Sequence, residues 1–496
     1  MNYDVLVVGG GIGGLTVAAL LAARGVSVCL FERESATGGC LANFSVSGYD
    51  FEGGAGLYSS WGEGELHPAI FAELGMTPPE VRPAAPAYVV RLSDRTDIAI
   101  PTDSDEFEAN LARAFPECER AAIQFYRRLD AADSALRNAA TRWPDLRDVS
   151  GISRVRAFAD ARARAVLAFK GETVAEHLVN ASSRFRQFID AQTQLLLQTP
   201  ANQCSLLTAA AALMLPRRGM YAIGGGGSAL AHSLTDSIRG SGGTVRLNAP
   251  VLRLAYGSDG RAAGVDLLSG ETVHAGRAII SNLTVWDTWG KLVGRGRTPP
   301  EVFEPMKALQ SSGAYLMYLS MDEEAARRLP ADHLLTISDH DTTVDGEAAG
   351  SPFMFASTPD WDPRAPEGRR AVTVWTQTEA EAWFSFHTDQ KEIEDQDQRT
   401  LETWWARIHK SMPELGDGIE VIESETPQSY YQRTRRRLGM VGGVSQAFGA
   451  SDLNPFGVTT PIPGLYMVGD TLFPGQGVAA VTYSAMLLAN EMAPVT

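Results

Sequence analysis

The chain is poor in cysteine. Its 496 residues hold four, Cys29, Cys40, Cys118 and Cys204, widely spaced, with no CxxC and no Cys/His cluster. That argues against a disulfide scaffold or a zinc module and suits a reducing, cytoplasmic compartment. Long apolar runs are also missing. A membrane-spanning helix needs about 18 consecutive apolar residues, and no stretch reaches that length. LLTAAAALML at 206–215 comes nearest and reads as a core helix before it reads as a membrane-dipping one. The apolar N-terminus has no basic lead, so it is not read as a signal peptide. Positive charge is scarce: 43 Lys and Arg stand against 59 Asp and Glu, a net charge of −16. A general nucleic-acid role is thereby disfavoured, because phosphate binding needs basic faces. The main basic cluster, RTRRR at 433–437, reads as exposed surface rather than as a contact for anionic lipid headgroups. The eight histidines form no HExxH and no paired ligand spacing, and SDHD at 338–341 reads as a solvated loop, so no metal is expected. No GxSxG nucleophile motif is present.

What is present fits a large globular enzyme. Hydrophobic residues make up 44% and charged residues 21%, enough to bury a core without disulfides. YDVLVVGGGIGGLTVAALLAARGVSVCLFE opens with a buried-strand pattern at 5–8. A glycine turn, a helix and a second strand at 26–32 follow. That is a βαβ unit and implies a parallel sheet. From about 105 to 212, apolar residues recur at three- and four-residue intervals, which predicts a helical insert. A second glycine turn and helix, GGGGSALAHSLTDSIRG, precede a short meander predicted over TVRLNAPVLRLAYGSDGRAAGVDLLSGETVHAGRAIISN. AYLMYLSM and RAVTVWTQ predict strands, DQDQRTLETWWARIHKSM a helix, and GLYMVGD a last strand.

Gly9, Gly11 and Gly14 form GxGxxG between a strand and a helix, the context the dinucleotide fingerprint requires. Gly9 permits the turn, Gly11 admits a pyrophosphate, and Gly14 lets helix and strand pack closely. Ile12 and Gly13 begin the helix, whose N-terminal N–H groups favour an anion. Glu32 lies 18 residues past Gly14, at the end of the second strand, where it can accept from the adenosine ribose and disfavour a 2′-phosphate. A second set of glycines follows at once, in ERESATGGC at 32–40 and YDFEGGAG at 49–56. This suits FAD better than NAD, since a longer cofactor must thread past more backbone. Near the C-terminus, GDTLFPGQGV at 469–478 supplies Asp470 and more glycines just before the last helix. Asp470 suits a ribityl hydroxyl better than a pyrophosphate, which would repel it. Gly475 and Gly477 allow close approach to the isoalloxazine ring, and the helix start near Val478 would face its N1–C2=O edge.

At these segments the chain resembles the flavoprotein superfamily of amine oxidases and phytoene desaturases. Arg33, Gly38 and Gly39 match that superfamily's glutamate–arginine–glycine–glycine segment, while Cys40 stands where many members carry arginine. Gly54 and Ala55 belong to the same pattern. NAPV at 248–251 implies that Val251 presents its backbone to adenine. IISNLTVWDTWGKLV at 279–293, which contains Asn282, is similar to carotenoid cis–trans isomerases and retinol saturases. So are Gly469, Asp470, Gly477 and Val478 in their motif, DWDPRAPEGRRAVTVWT at 360–376 and ETPQSYYQR at 425–433. The resemblance implies an α/β fold with a Rossmann-like FAD-binding domain from discontinuous segments, 1–85, 216–300 and 455–496. A mixed-sheet substrate domain with a helical cap, 86–215 and 301–454, completes it. It further implies an apolar small-molecule substrate and carotenoid-type isomerisation of a long polyene through reduced flavin. Desaturation or saturation is the alternative; an amine oxidase or a prenyl-binding chaperone is more remote. No general acid or base is marked, and peripheral membrane contact is a hypothesis raised by a lipid-like substrate.

Overall fold

The computed structural model describes residues 2–145, 160–337, 351–384, 390–445 and 454–494. The tetrapeptide 338–341 lies outside them. The strands Asn2–Val8 and Val28–Phe31 pair in parallel, and Val5, Leu6 and Val7 are wholly buried. Their unbroken apolar runs are what a strand covered on both faces needs. Helix Ile12–Ala23 between them is apolar on every side and buried from Ile12 to Ala22. It packs between helices Gly226–Gly240 and Val478–Met492, so no face of it meets water.

The first sheet runs Thr244–Arg246, Val28–Phe31, Asn2–Val8, Thr272–Ser281, with Ala262–Leu267 and Val251–Tyr256 beyond. Leu465–Met467 pairs in parallel with the far end of Thr272–Ser281. Three separated stretches of chain thus build one sheet, parallel from Thr244–Arg246 to Thr272–Ser281 and antiparallel at Ala262–Leu267 and Val251–Tyr256. The expected meander is shorter than the sequence suggested. Thr244–Arg246 lies in parallel beside Val28–Phe31 instead. Glu32 N donates to Arg246 O at 2.9 Å and extends that edge.

The second sheet is mixed. Its order is Ile419–Glu425, Gly313–Asp322, Arg369–Thr378, Pro352–Ser357, His333–Ile337, Val89–Arg91, Asp97–Ala99. All pairs are antiparallel except His333–Ile337 with Val89–Arg91. The predicted helical insert forms helices from Ser104–Ala114 to Leu206–Leu213. Phe115, Phe125, Phe185 and Phe188 fill a core that reaches Leu335, Ile337 and Met354 on the sheet. Leu206, Ala209, Ala210 and Leu213 of LLTAAAALML are buried in this core, which makes it a core helix. Among the described residues, no helix is long and apolar enough to cross a membrane.

Candidate functional site

One cavity of about 1200 Å³ runs between the two sheets. Its walls include the ends of Asn2–Val8 and Val28–Phe31, the start of Val478–Met492, and residues of the helical insert. Of the residues the sequence pointed to, Gly9, Gly11, Ile12, Gly13, Glu32, Arg33, Gly38, Gly39, Cys40, Gly54, Ala55, Val251, Asn282, Gly469, Asp470, Gly477 and Val478 line it, whereas Gly475, expected to lie close to the isoalloxazine ring, does not. Nor does Gly14. A methyl group there would sit 2.2 Å from the Gly9 carbonyl oxygen, so its role is helix–strand packing.

The turn after the first strand is held by specific contacts. Gly9 has φ +101° and its N–H donates to Phe31 O at 2.9 Å. Glu32 Oε2 accepts from Gly10 N at 2.7 Å, and Oε1 accepts from Glu34 N at 2.9 Å. The carboxylate is thus fixed at the cavity wall with lone pairs to spare. Helix Ile12–Ala23 has no side-chain cap and no acidic residue in its first turn. Its leading N–H groups have no competing side chain. Asn282 explains the glycines in a way the sequence did not. A methyl group at Gly11 would stand 2.7 Å from Asn282 Nδ2, and one at Gly13 2.6 Å from Asn282 Oδ1. Gly38 N donates to Gly10 O at 2.8 Å, which brings the second glycine pair against the first.

Asp470 does not stand alone. Arg436 Nη2 lies 3.0 Å from Asp470 Oδ2, and the same guanidinium donates to Met440 O and Gly442 O. Burial alone would lower the Arg436 pKa, but Asp470, joined by Cys40 and Tyr430, more than offsets it and holds the group charged. This corrects the surface reading of RTRRR. Arg433 pairs with Glu425 at 2.8 Å and Arg436 with Asp470, both beside the cavity, while Arg435 and Arg437 are exposed. Gln476 ties the same loop to the helical insert: its Oε1 accepts from Gln198 Nε2 at 2.9 Å and from Gly443 N at 3.1 Å. Helix Val478–Met492 starts uncapped at Gly477, φ +95°, with no acidic residue in its first turn.

A buried charge group missed by the sequence reading supports the other glycine loops. Glu52 Oε1 meets Arg364 Nη2 at 2.9 Å, Tyr58 Oη donates to Glu52 Oε2 at 2.9 Å, and Arg364 Nε lies 2.8 Å from Asp362 Oδ2. The acid in YDFEGGAG, set among aromatics and glycines, is the signal that could have found it. Burial and then Glu52 push the Tyr58 pKa well up, so it is a fixed donor. Cys40 lies on the wall beside buried Tyr430. Among the described residues no cluster of three or more His, Cys, Asp or Glu could hold a metal.

The fit to a dinucleotide is therefore testable on the structure itself. Two uncapped helix starts open onto one cavity, with an anchored carboxylate beside one and Asp470 near the other. Methyl groups at Gly54 or Gly477 would meet no protein atom within 4 Å, so the space they would take is cavity. The sequence matches the family of flavin-containing amine oxidoreductases over residues 12–493. The chain belongs to that family; it is an enzyme, and its cofactor is FAD. It is 28% identical to prolycopene isomerase of Daucus carota over 99% of this chain and 80% of that one. It is 23% identical to the neurosporene-forming phytoene desaturase of Cereibacter sphaeroides, over 99% and 94%. In fold it is similar to an oxidoreductase from Methanosarcina mazei, with a TM-score of 0.65, 18% identity and coverage of 98% and 99%.

Proposed function

We propose that the enzyme acts on a long apolar polyene and rotates one of its double bonds from cis to trans without net redox change. The observation that carries this is what the cavity wall does not offer. Among the described residues no histidine lines it, and its five carboxylates are all engaged. Glu32 holds backbone amides, Glu34 pairs with Arg33, Asp133 with Arg137 and Arg218, Asp287 with Lys291, and Asp470 with Arg436. Desaturation needs a hydride acceptor and a base for the second hydrogen; no such base stands free here. The same pairing leaves no carboxylate for an ammonium group, which disfavours an amine substrate. Isomerisation through reversible donation needs no such base.

Reduced FAD would supply reversible electron or hydride donation that weakens a C=C bond. The chain's own residues bind and orient. The Gly9–Gly14 turn and the helix start at Ile12 would hold the pyrophosphate, Glu32 the ribose, Val251 the adenine, and Asp470 the ribityl chain. The uncapped start of Val478–Met492 would favour negative charge on the reduced ring. Leu316 and Trp375 of the second sheet, with Leu195, Leu207 and Leu215 of the insert, give the polyene an apolar, water-excluding wall. The names of the similar isomerase and desaturase support a polyene substrate.

The test is anaerobic incubation of the FAD-loaded protein, chemically reduced, with a cis-polyene, followed by mass and geometry of the product. Unchanged mass with trans geometry is expected. A change of two hydrogens would refute isomerisation.

A further inference from the structure

Three charged side chains on the cavity wall play no part in the FAD site described above. Asp133, Leu136, Arg137 and Ala140 lie along one face of helix Glu119–Ala140 and line the cavity, as does Arg218. The Asp133 side chain is 4% exposed. Its Oδ2 accepts from Arg218 Nη1 at 2.6 Å and from Arg137 Nε at 2.9 Å. Two guanidiniums thus share one carboxylate, and the group carries one positive charge in excess. Apart from Asp133, Arg137 donates to Ser134 Oγ at 3.2 Å, while Arg218 has no further partner among the described residues. Both arginines therefore keep N–H donors for a ligand, on a wall that is otherwise apolar at Leu136, Ala140, Leu207 and Ala211.

A hydrocarbon gains nothing from such a pair. A guanidinium edge, by contrast, matches a carboxylate in shape and charge. The excess of one positive charge suits a singly charged carboxylate better than a diphosphate, which carries two or more. We infer that Arg218, with Arg137 beside it, binds the carboxylate end of the substrate, so that the substrate is an acid-terminated polyene rather than a plain hydrocarbon. This rests on the reading of the cavity as a polyene site. Asp133 is the positioning residue: it anchors both arginines from below and leaves their outer donors free.

The test uses the FAD-loaded protein and three probes: all-trans-retinoic acid, its methyl ester, and a polyene hydrocarbon. Binding is read as quenching of tryptophan fluorescence, with Trp375 on the cavity wall as reporter. A charge-assisted hydrogen bond corresponds to about tenfold or more in affinity, so the acid should bind about tenfold tighter than the ester. Arg218→Gln should bring the acid down to the ester's affinity and leave the ester unchanged, and Arg218→Lys should restore part of the difference. Arg137→Gln, at a half-exposed position that leaves Asp133 paired with Arg218, should reduce the acid's preference without altering fold. Equal binding of acid and ester by the unaltered protein, with the hydrocarbon also bound, would overturn this inference alone. Equal weakening of acid and ester by Arg218→Gln would do the same. Failure of all three probes to bind would overturn the polyene reading together with it.

Discussion

Glu32→Gln isolates the first anchor of the proposed cofactor site. The substitution keeps size and shape, but replaces one acceptor oxygen with a donor. Both oxygens are in use, at 2.7 Å to Gly10 N and 2.9 Å to Glu34 N, so one N–H must then face an NH2 group. Glu32 is 9% exposed, and water cannot readily replace the lost acceptor. A hydrogen bond to a charged group contributes about 1.5–3 kcal/mol, so the protein freed of FAD should lose about 2 kcal/mol of stability in urea. The Gly10 turn loosens at the same time, and a ribose hydroxyl loses its charged acceptor. The FAD dissociation constant, from fluorescence titration, should rise about 10- to 100-fold. A stability change under about 0.5 kcal/mol with unaltered FAD affinity would refute the assignment of Glu32 as anchor.

Asp470→Asn removes the partner of a largely buried guanidinium. Breaking a fully buried pair costs about 3–5 kcal/mol; with Asp470 21% exposed and Arg436 still bound to two carbonyls, about 2 kcal/mol is expected. Urea unfolding checks this, and Arg436→Met combined with Asp470→Asn should cost less than the two changes added together. Acid stability follows from His67 and His333. Burial lowers each pKa to about 4, below the ordinary value of 6.5. Both are neutral when folded and take up protons more readily when unfolded. Their contribution is complete above pH 6.5 and lost as pH falls toward 4, about 2–3 kcal/mol each by pH 4.5. His67→Phe, which keeps a ring against Trp61, should flatten part of that loss; an unchanged pH profile would contradict it.

The sequence was most informative where structure is local. The turn at Gly9, the helix behind it and Glu32 follow one another within a single βαβ unit, and each constraint acts on a neighbour. The insert's helices and the ten-residue strands of the second sheet were legible for the same reason. Pairs joined only by folding were not. Glu52 and Arg364 are 312 positions apart, and nothing in either segment names the other. Arg436 meets Asp470 just after helix Pro427–Thr434 ends at Arg435 with φ +56°; Arg433 and Arg436 are paired and partly buried, Arg435 is exposed at the cavity mouth, and Arg437 is exposed away from it. Charge density alone could not separate them. The reason for Gly11 and Gly13 was half legible. Their place in a dinucleotide turn was clear, but the side chain that excludes a Cβ there is Asn282, which arrives from another strand.

The central claim is polyene isomerisation without net redox change. Its most direct measurement follows the FAD absorbance and the product together, anaerobically, in protein reduced once and given excess cis-polyene. The account predicts many trans products per FAD, with the cofactor still reduced at the end. Reoxidation of FAD in step with product, at one product per FAD, would contradict it.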